Sequence, residues 1–578
     1  MIARPPVANG LLLLTLQATA GFAKLNWSPC DSNTKLDCAT LSVPLEYADP
    51  DNGALAYVPV ARYNATVPKN QRKGSLLTNP GGPGSSGIDF LANGAAEGIS
   101  NVTGGYYDIV SWDPRGVGSA LPLLQCWDTA GEETRASDSV SAAAEIEYSQ
   151  FRNASYMPEY YAALQDYDDS VAEIAVACAH HNSSALYTSS AAYVVRDMAT
   201  IVDALEGRKN ATLNYWGFSY GTILGAEFIQ TFPERVGRIV FDGVFDPDAN
   251  AKPYTSQLPH DQVNVREAIN DFVAFCADAG PNGCAFNGGA KNSSAPNLTK
   301  RLASLQASLY ENPVVVSDGS WSITVGMFSF FMYSFLKLPT TWPAVASAVS
   351  DLEKGNSDLF SSLLTGATSV TINESAPDTG SMAGWPIQCT DNAPSNFTTL
   401  TDVADLVLDI SLIEETPWLN ADLSTLSFCR NFPNYRPLVH NNGASKLQSG
   451  ETNAALTKRN TSVLIVNAFH DAATPASSAH TLHNWLSTSS QLVLRRGPGH
   501  TTISVASLGL VQTIRDYFID GILPDSKQIH DLSQRVFSSG IDQTSVTPDP
   551  VFNGTYSDLE MALLNATYET LLAFLSLP

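Results

Sequence analysis

Leu213-Asn214-Tyr215-Trp216-Gly217-Phe218-Ser219-Tyr220-Gly221-Thr222-Ile223-Leu224-Gly225-Ala226-Glu227-Phe228 is the stretch on which the reading of this chain turns. Leu213 to Phe218 is a short run of bulky apolar residues, the pattern of a buried strand. Thr222 to Phe232 continues with the spacing of a helix. Between them, Gly217-Phe218-Ser219-Tyr220-Gly221 matches G-x-S-x-G, a sharp strand-to-helix turn that carries a serine at its tip. Both glycines are small because the elements flanking such a turn approach closely. The N-terminus of the following helix also sets its partial positive charge beside Ser219. Pentapeptides of this form arise by chance, and it is the strand before and the helix after that single this one out.

Working outward, short apolar strands alternate with helical patterns. Residues 40 to 64 read as two strands around the turn Asp49-Pro50-Asp51-Asn52-Gly53. Ser75 to Thr78 and Tyr107 to Trp112 are strands, and 189 to 206 has helical spacing through Val194, Met198, Ile201, Val202 and Leu205. Arg238 to Phe241, Thr461 to Phe469 and Gln491 to Leu494 are further strands, and Ser504 to Ile519 is a helix. This alternation predicts an α/β fold, a mostly parallel sheet with helices on both faces. The pattern stops near Pro247 and resumes near Thr461. The expected organisation is therefore a first core segment over 24–246, a large, mainly helical lid inserted over 247–457 and a last core segment over 458–524. A polar, partly helical extension over 525–578 is expected to pack on the surface.

A serine hydroxyl needs a base to act as a nucleophile. In strand-helix architectures of this type the order along the chain is serine, acid, histidine. His500 follows a late strand through Gly497-Pro498-Gly499 and precedes a helix, at a strand end that faces the shared crevice. Its rival is His470, which ends the strand Thr461 to Phe469. The neighbouring Asp471 fits the acid position, where it would hold the imidazole tautomer; Asp242 and Asp246 are the fallback acids. His480 and His483 read as an exposed helix face. A tetrahedral oxyanion needs two backbone donors. One is expected from Tyr220, and the other from the loop Asn79-Pro80-Gly81-Gly82-Pro83-Gly84, with Gly82 preferred and Gly81 second. That loop lacks the lysine and the glycine spacing of phosphate-binding loops.

No cofactor or metal is expected. The cysteines form no CxxC pair and their spacings fit no zinc finger, and the His480/His483 pair lacks a zincin's glutamate. The eight cysteines are Cys30, Cys38, Cys126, Cys178, Cys276, Cys284, Cys389 and Cys429. They read as disulfides with neighbours paired, because short loops close cheaply. Residues 1–23 read as a signal peptide: Arg4, then the apolar Leu11 to Leu16, then the small-residue sites Ala18-Thr19-Ala20 and Gly21-Phe22-Ala23. Sequons at Asn64, Asn101, Asn153, Asn210, Asn297, Asn396 and Asn553 add N-linked glycans to the expectation of a secreted, extracellular protein. The formal net charge of −25 disfavours nucleic acid and anionic lipid as partners. No apolar run is long enough to span a membrane.

Taken together these motifs resemble the tripeptidyl aminopeptidase-like branch of the prolyl-aminopeptidase-type α/β-hydrolases, from about Cys38 to Pro524. The marks are Asn79 to Gly84, Tyr107-Asp108-Ile109-Val110-Ser111-Trp112-Asp113-Pro114-Arg115-Gly116-Val117-Gly118, Asn214 to Thr222, Arg238 to Val244, Leu338-Pro339-Thr340-Thr341-Trp342-Pro343, Asp471 with Thr474-Pro475, and Gly499-His500. Relatives often carry a cysteine soon after the histidine segment, whereas residues 501–578 hold none. The resemblance implies a secreted exopeptidase that releases short peptides from peptide N-termini. A carboxylesterase with the same Ser219, Asp471 and His500 is the alternative. A non-catalytic binding module would be expected to lack the serine, the histidine or the oxyanion loop, and all are present. An exopeptidase must pair the substrate's α-ammonium with a carboxylate. Asp391, close to Cys389 and so open to fixing by a disulfide, is the first candidate, and Glu267 the second.

Overall fold

The computed structural model describes residues 25–577 apart from 144–145, 147–149, 182, 289–292, 367–377, 379, 396–397, 414–419, 434–438, 440–444 and 525–527. The signal peptide expected over 1–23 and the sequon at Asn396 lie outside the described residues. Ten strands form the main sheet: β1 (Ser28–Pro29), β2 (Asp37–Pro44), β3 (Leu55–Tyr63), β4 (Ser75–Asn79), β5 (Asp108–Trp112), β6 (Leu213–Phe218), β7 (Val236–Asp242), β8 (Val463–His470), β9 (Ser490–Pro498) and β10 (Gln528–His530). Their spatial order is β1-β2-β3-β5-β4-β6-β7-β8-β9-β10. The pairs from β5 through β10 are parallel, and β1 to β3 add an antiparallel edge that joins β5.

Side chains alternate across each central strand, which divides the apolar residues between two layers. Leu77, Val110, Tyr215, Ile239, Phe241 and Ile465 join one core with the Ala191–Glu206, Gly221–Thr231 and Ala476–Leu486 helices. Their neighbours Leu76, Ile109, Trp216, Val240, Leu464 and Val466 join the other, with the Ala96–Val102, Leu508–Asp520 and Asp558–Leu575 helices. A sheet covered on both faces needs apolar residues at successive positions, which is why these strands read as continuous apolar runs.

The strand registers align the carboxyl ends. Asn79 pairs with Gly217, Phe218 with Asp242, and Asp242 with Val466. The residues that follow these strands therefore emerge along one rim, where parallel sheets place their sites. β7 and β8 are sheet neighbours although 220 residues separate Asp242 from Val463, and the chain between them is mainly helical. Part of it builds a third core from Phe272, Phe331, Trp342, Val345 and Phe360 among others.

Eight cysteines pair as neighbours: Cys30–Cys38, Cys126–Cys178, Cys276–Cys284 and Cys389–Cys429. Asn64, Asn101, Asn153, Asn210 and Asn297 are exposed, and Asn553 is half-buried. Among the described residues, no helix is long and apolar enough to cross a membrane.

The chain after Pro524 departs from the expected surface packing. Gln528–His530 extends the main sheet beside β9. The Asp558–Leu575 helix, opened by a Ser557/Glu560 capping box, buries Leu563, Leu564, Ala566, Leu571 and Ala573. Its Phe574 ring lies edge-on to Phe218, 5.2 Å between centroids, beneath the residue that precedes Ser219. The polar stretch before this helix masks an apolar face that has a core to join.

Candidate active site

β6 ends at Phe218 and the Gly221–Thr231 helix starts three residues later, so Ser219 and Tyr220 make the whole turn. Ser219 has φ +54°, a left-handed conformation uncommon for a residue with a side chain. Three bonds fix it: its N–H donates to Asp242 O at 3.0 Å, and its carbonyl accepts from Thr222 N at 2.8 Å and from Thr222 Oγ1 at 2.7 Å. Ser219 and His500 both line one cavity of about 620 Å³, with Gly82, Trp385, Gln388 and Asp261 also in its wall. That volume is in the range of small-molecule clefts.

His500 is held from both sides. Its Nδ1 lies 3.1 Å from each oxygen of Asp471, and its backbone N–H donates to Lys337 O at 2.8 Å. The Lys337 contact explains the position of the Leu338-Pro339-Thr340 motif: it follows the residue that steadies the histidine loop. Asp471 is fully enclosed. It accepts from Ala473 N and Thr474 N at 2.8 Å each, from Thr474 Oγ1 at 2.7 Å and from Thr501 N at 2.8 Å. Burial alone would push its carboxyl up. The His500 charge and hydrogen bond, with the Thr474 and Ala473 amides, outweigh burial and hold it below the usual carboxylate range.

The rival histidine serves another partner. His470 Nδ1 meets Asp271 Oδ2 at 2.6 Å, and that bond raises the imidazole above its ordinary value against the opposing effect of burial. The fallback acids are also engaged elsewhere. Asp242 accepts from Thr502 N at 2.6 Å and Thr502 Oγ1 at 2.7 Å, and burial pushes its carboxyl up to about 6. It thereby braces the loop that carries His500. Asp246 caps the short Pro247–Asn250 helix through Asp248 N and Ala249 N.

The Asn79 to Gly84 loop lies against the turn. Gly81 N–H donates to Asn79 Oδ1 at 3.0 Å, which commits that amide. Gly82, not Gly81, lines the cavity. In the Asp113-Pro114-Arg115-Gly116 motif, Asp113 holds the segment that follows this loop, and Arg115 joins the Pro44 and Leu45 carbonyls to the Ala191–Glu206 helix. Asp113 Oδ1 accepts from Ser86 Oγ at 2.6 Å, and Arg115 makes a buried pair with Asp197 at 2.6 Å. Among the described residues, no cluster of three His, Cys, Asp or Glu side chains is arranged to hold a metal.

The two acids expected at the cavity mouth are not in its wall. Asp391 closes the Gly384–Asp391 helix and is buried, turned inward to Ala191 N at 2.8 Å and to the Tyr220 hydroxyl. Glu267 lies on the Val265–Gly283 helix near Arg266, at 3.7 Å, and near His470. The carboxylate that does line the cavity is Asp261, buried and accepting from Gln257 Nε2 at 3.1 Å. It escaped sequence reasoning because Tyr254-Thr255-Ser256-Gln257-Leu258-Pro259-His260-Asp261 carries no motif.

The sheet and its rim define an α/β-hydrolase, and the protein is an enzyme of the serine hydrolase class. A family model described as "alpha/beta hydrolase fold" matches residues 74–273, and one described as "TAP-like protein" matches residues 440–529. Along most of its length the chain is similar to tripeptidyl aminopeptidases. It is 26% identical over 522 residues to a tripeptidyl aminopeptidase of Streptomyces coelicolor, covering 87% of this chain and 85% of that protein. It is 30% identical over 261 residues to the serine protease Hip1 of Mycobacterium tuberculosis, 44% of this chain and 45% of that one. Carboxylesterase B of Mycobacterium tuberculosis is 27% identical over 488 residues, 84% of this chain and 85% of that protein.

Proposed function

We propose that the protein is a secreted exopeptidase that releases short peptides from free peptide N-termini through an acyl-enzyme on Ser219. His500 takes the Ser219 hydroxyl proton as Oγ bonds to the scissile carbonyl carbon. The carbonyl oxygen becomes an oxyanion held by the Gly82 and Tyr220 amides. His500 then returns the proton to the leaving amine as the C–N bond breaks. A water molecule repeats the sequence on the ester and frees the peptide acid and the serine. Asp471 holds the imidazole tautomer and stabilises the imidazolium throughout. The helical chain over 247–457 serves as the lid over this cleft. The apolar N-terminal segment, the cysteine pairs and the exposed sequon asparagines support export and glycosylation.

The observation that carries the exopeptidase reading is Asp261, the one acidic side chain among the described residues lining the cavity. A carboxylate there can partner an α-ammonium, which would be costly to bury unpaired. Similarity to Carboxylesterase B favours a second reading, ester hydrolysis by the same residues. The test is a panel of chromogenic tripeptidyl amides, free or acetylated at the N-terminus, beside short-chain esters. Cleavage of the free-amine amides, lost on acetylation and in Ser219→Ala, is expected. Cleavage of esters alone would replace the first reading by the second.

A further inference from the structure

The Gly384–Asp391 helix touches both parts of the proposed oxyanion hole, one at each end. At its start, backbone meets backbone: a Cβ on Gly384 would lie 2.5 Å from Pro83 O, and one on Gly84 would lie 2.9 Å from Gly384 N. At its end, the Asp391 carboxylate accepts from the Tyr220 hydroxyl. Pro83 and Gly84 follow Gly82, and Tyr220 follows Ser219. One helix from outside the sheet therefore braces both donors.

The Asp391 carboxylate is buried, and its surroundings suit a fixed negative charge. Its second oxygen accepts from Ala191 N at 2.8 Å, the first residue of the Ala191–Glu206 helix. The residue before that helix, Ser190, makes no side-chain cap. Asp391 thus supplies a long-range cap, and the positive helix end offsets the cost of its burial. Burial, with the nearby Asp391 charge, pushes the Tyr220 hydroxyl well up, so it stays protonated and donates. The Cys389–Cys429 disulfide ties the same helix to the Asn420–Asn431 helix.

We infer that Asp391 is a positioning residue for the oxyanion hole, acting through the Tyr220 hydroxyl to fix the direction of the Tyr220 backbone N–H. The inference rests on the reading that Tyr220 and Gly82 supply the oxyanion donors. The Tyr220 ring is a lever: its far end is anchored at Asp391, and its near end sets the amide beside Ser219. An anchored amide is oriented before charge develops, which is the condition under which such donors lower the barrier. Tyr220→Phe cuts the link yet leaves the Asp391 bond to Ala191 intact, so it separates positioning from capping.

The experiment measures kcat, KM and inhibition by a peptide boronic acid on the full, disulfide-bonded enzyme with a free-amine tripeptidyl amide. Tyr220→Phe is expected to lower kcat about tenfold, with KM within about twofold of wild type, and to lower the melting temperature modestly because the buried Asp391 carboxylate loses one hydrogen bond. Affinity for the boronic acid, whose tetrahedral adduct occupies the hole, should fall by the same factor as kcat. Asp391→Asn should lower both in parallel, and the double variant should be no worse than the weaker single. Wild-type kcat and boronate affinity in Tyr220→Phe would overturn the inference, whatever Asp391→Asn does. Loss in Asp391→Asn alone would likewise overturn it, by assigning the residue to the helix cap. Should Asp391→Asn fail to fold, Tyr220→Phe decides by itself. Retained activity in Ser219→Ala would instead overturn the underlying reading, a result distinct from all of these.

Discussion

Gly81 lies so close to Ser219 that a methyl group on the glycine would sit 2.9 Å from the serine Cβ. The same group would be 2.7 Å from Phe218 O and 2.9 Å from Tyr220 N, and Gly81 has φ +104°. Backbone atoms on one side and the elbow on the other leave nothing that can yield cheaply. Gly81→Ala is therefore expected to push the Asn79–Gly84 loop off the turn. Turnover should drop by about a hundredfold for a shift of the order of 1 Å. Stability should fall by about 1–3 kcal/mol through overpacking and the positive φ. Steady-state kinetics beside thermal melting check both, and wild-type kcat in the Gly81→Ala enzyme would show that the loop is not part of the site.

Asp471→Asn keeps the shape of the acid and removes its charge. The expected loss in kcat is about ten-thousandfold, because the wrong imidazole tautomer becomes available. The pH dependence has a definite sign. The Asp471 carboxyl is held below its ordinary value of 3.8 in the folded state. Its contribution to stability is thus present above 3.8 and lost as pH falls through the folded value. Melting curves from pH 6 to pH 2 should show wild type losing an increment of stability on acidification that Asp471→Asn lacks.

His470 and His500 should separate cleanly. His500→Ala is expected to abolish turnover, whereas His470→Gln should keep kcat within about threefold, since mutations away from the reacting groups leave transition-state stabilisation intact. Asp271 raises His470 above 6.5, so the pair contributes fully below that pH and its contribution fades as pH rises through the raised value. His470→Gln should therefore melt below wild type at pH 6 and approach it at pH 9. Loss of turnover in His470→Gln equal to that in His500→Ala would contradict the assignment.

Asp261→Asn tests substrate recognition apart from chemistry. Removing one charge-assisted bond, worth about 1.5–3 kcal/mol, should lower kcat/KM for free-amine tripeptidyl amides by roughly 10–100-fold. Hydrolysis of small acetate esters, which carry no ammonium, should be unchanged. An equal loss on both substrates would place Asp261 in the framework of the site and remove it from recognition.

The sequence by itself determined the central strands, their common rim and the order of the candidate site residues. Buried parallel strands require continuous apolar runs, and the turns at their ends need small residues, so both leave local marks. That is why β6, the Ser219 turn and the Gly-Pro loop could be read from neighbours a few positions apart. The same is true of Asp471 and His500, each at the end of a strand.

Only the tertiary structure decided where the remaining acids face. Asp391 is set by Ala191 and Tyr220, which lie 200 and 171 residues away in the chain. No local pattern records such a contact, because any carboxylate at a helix end looks alike until its neighbours are known. Asp261 reaches the cavity for the same kind of reason, through the packing of a short helix without a motif. The Asp558–Leu575 helix found its place beneath Phe218 because the sheet had an uncovered apolar face, a property of the assembled layers that no stretch of the chain holds alone.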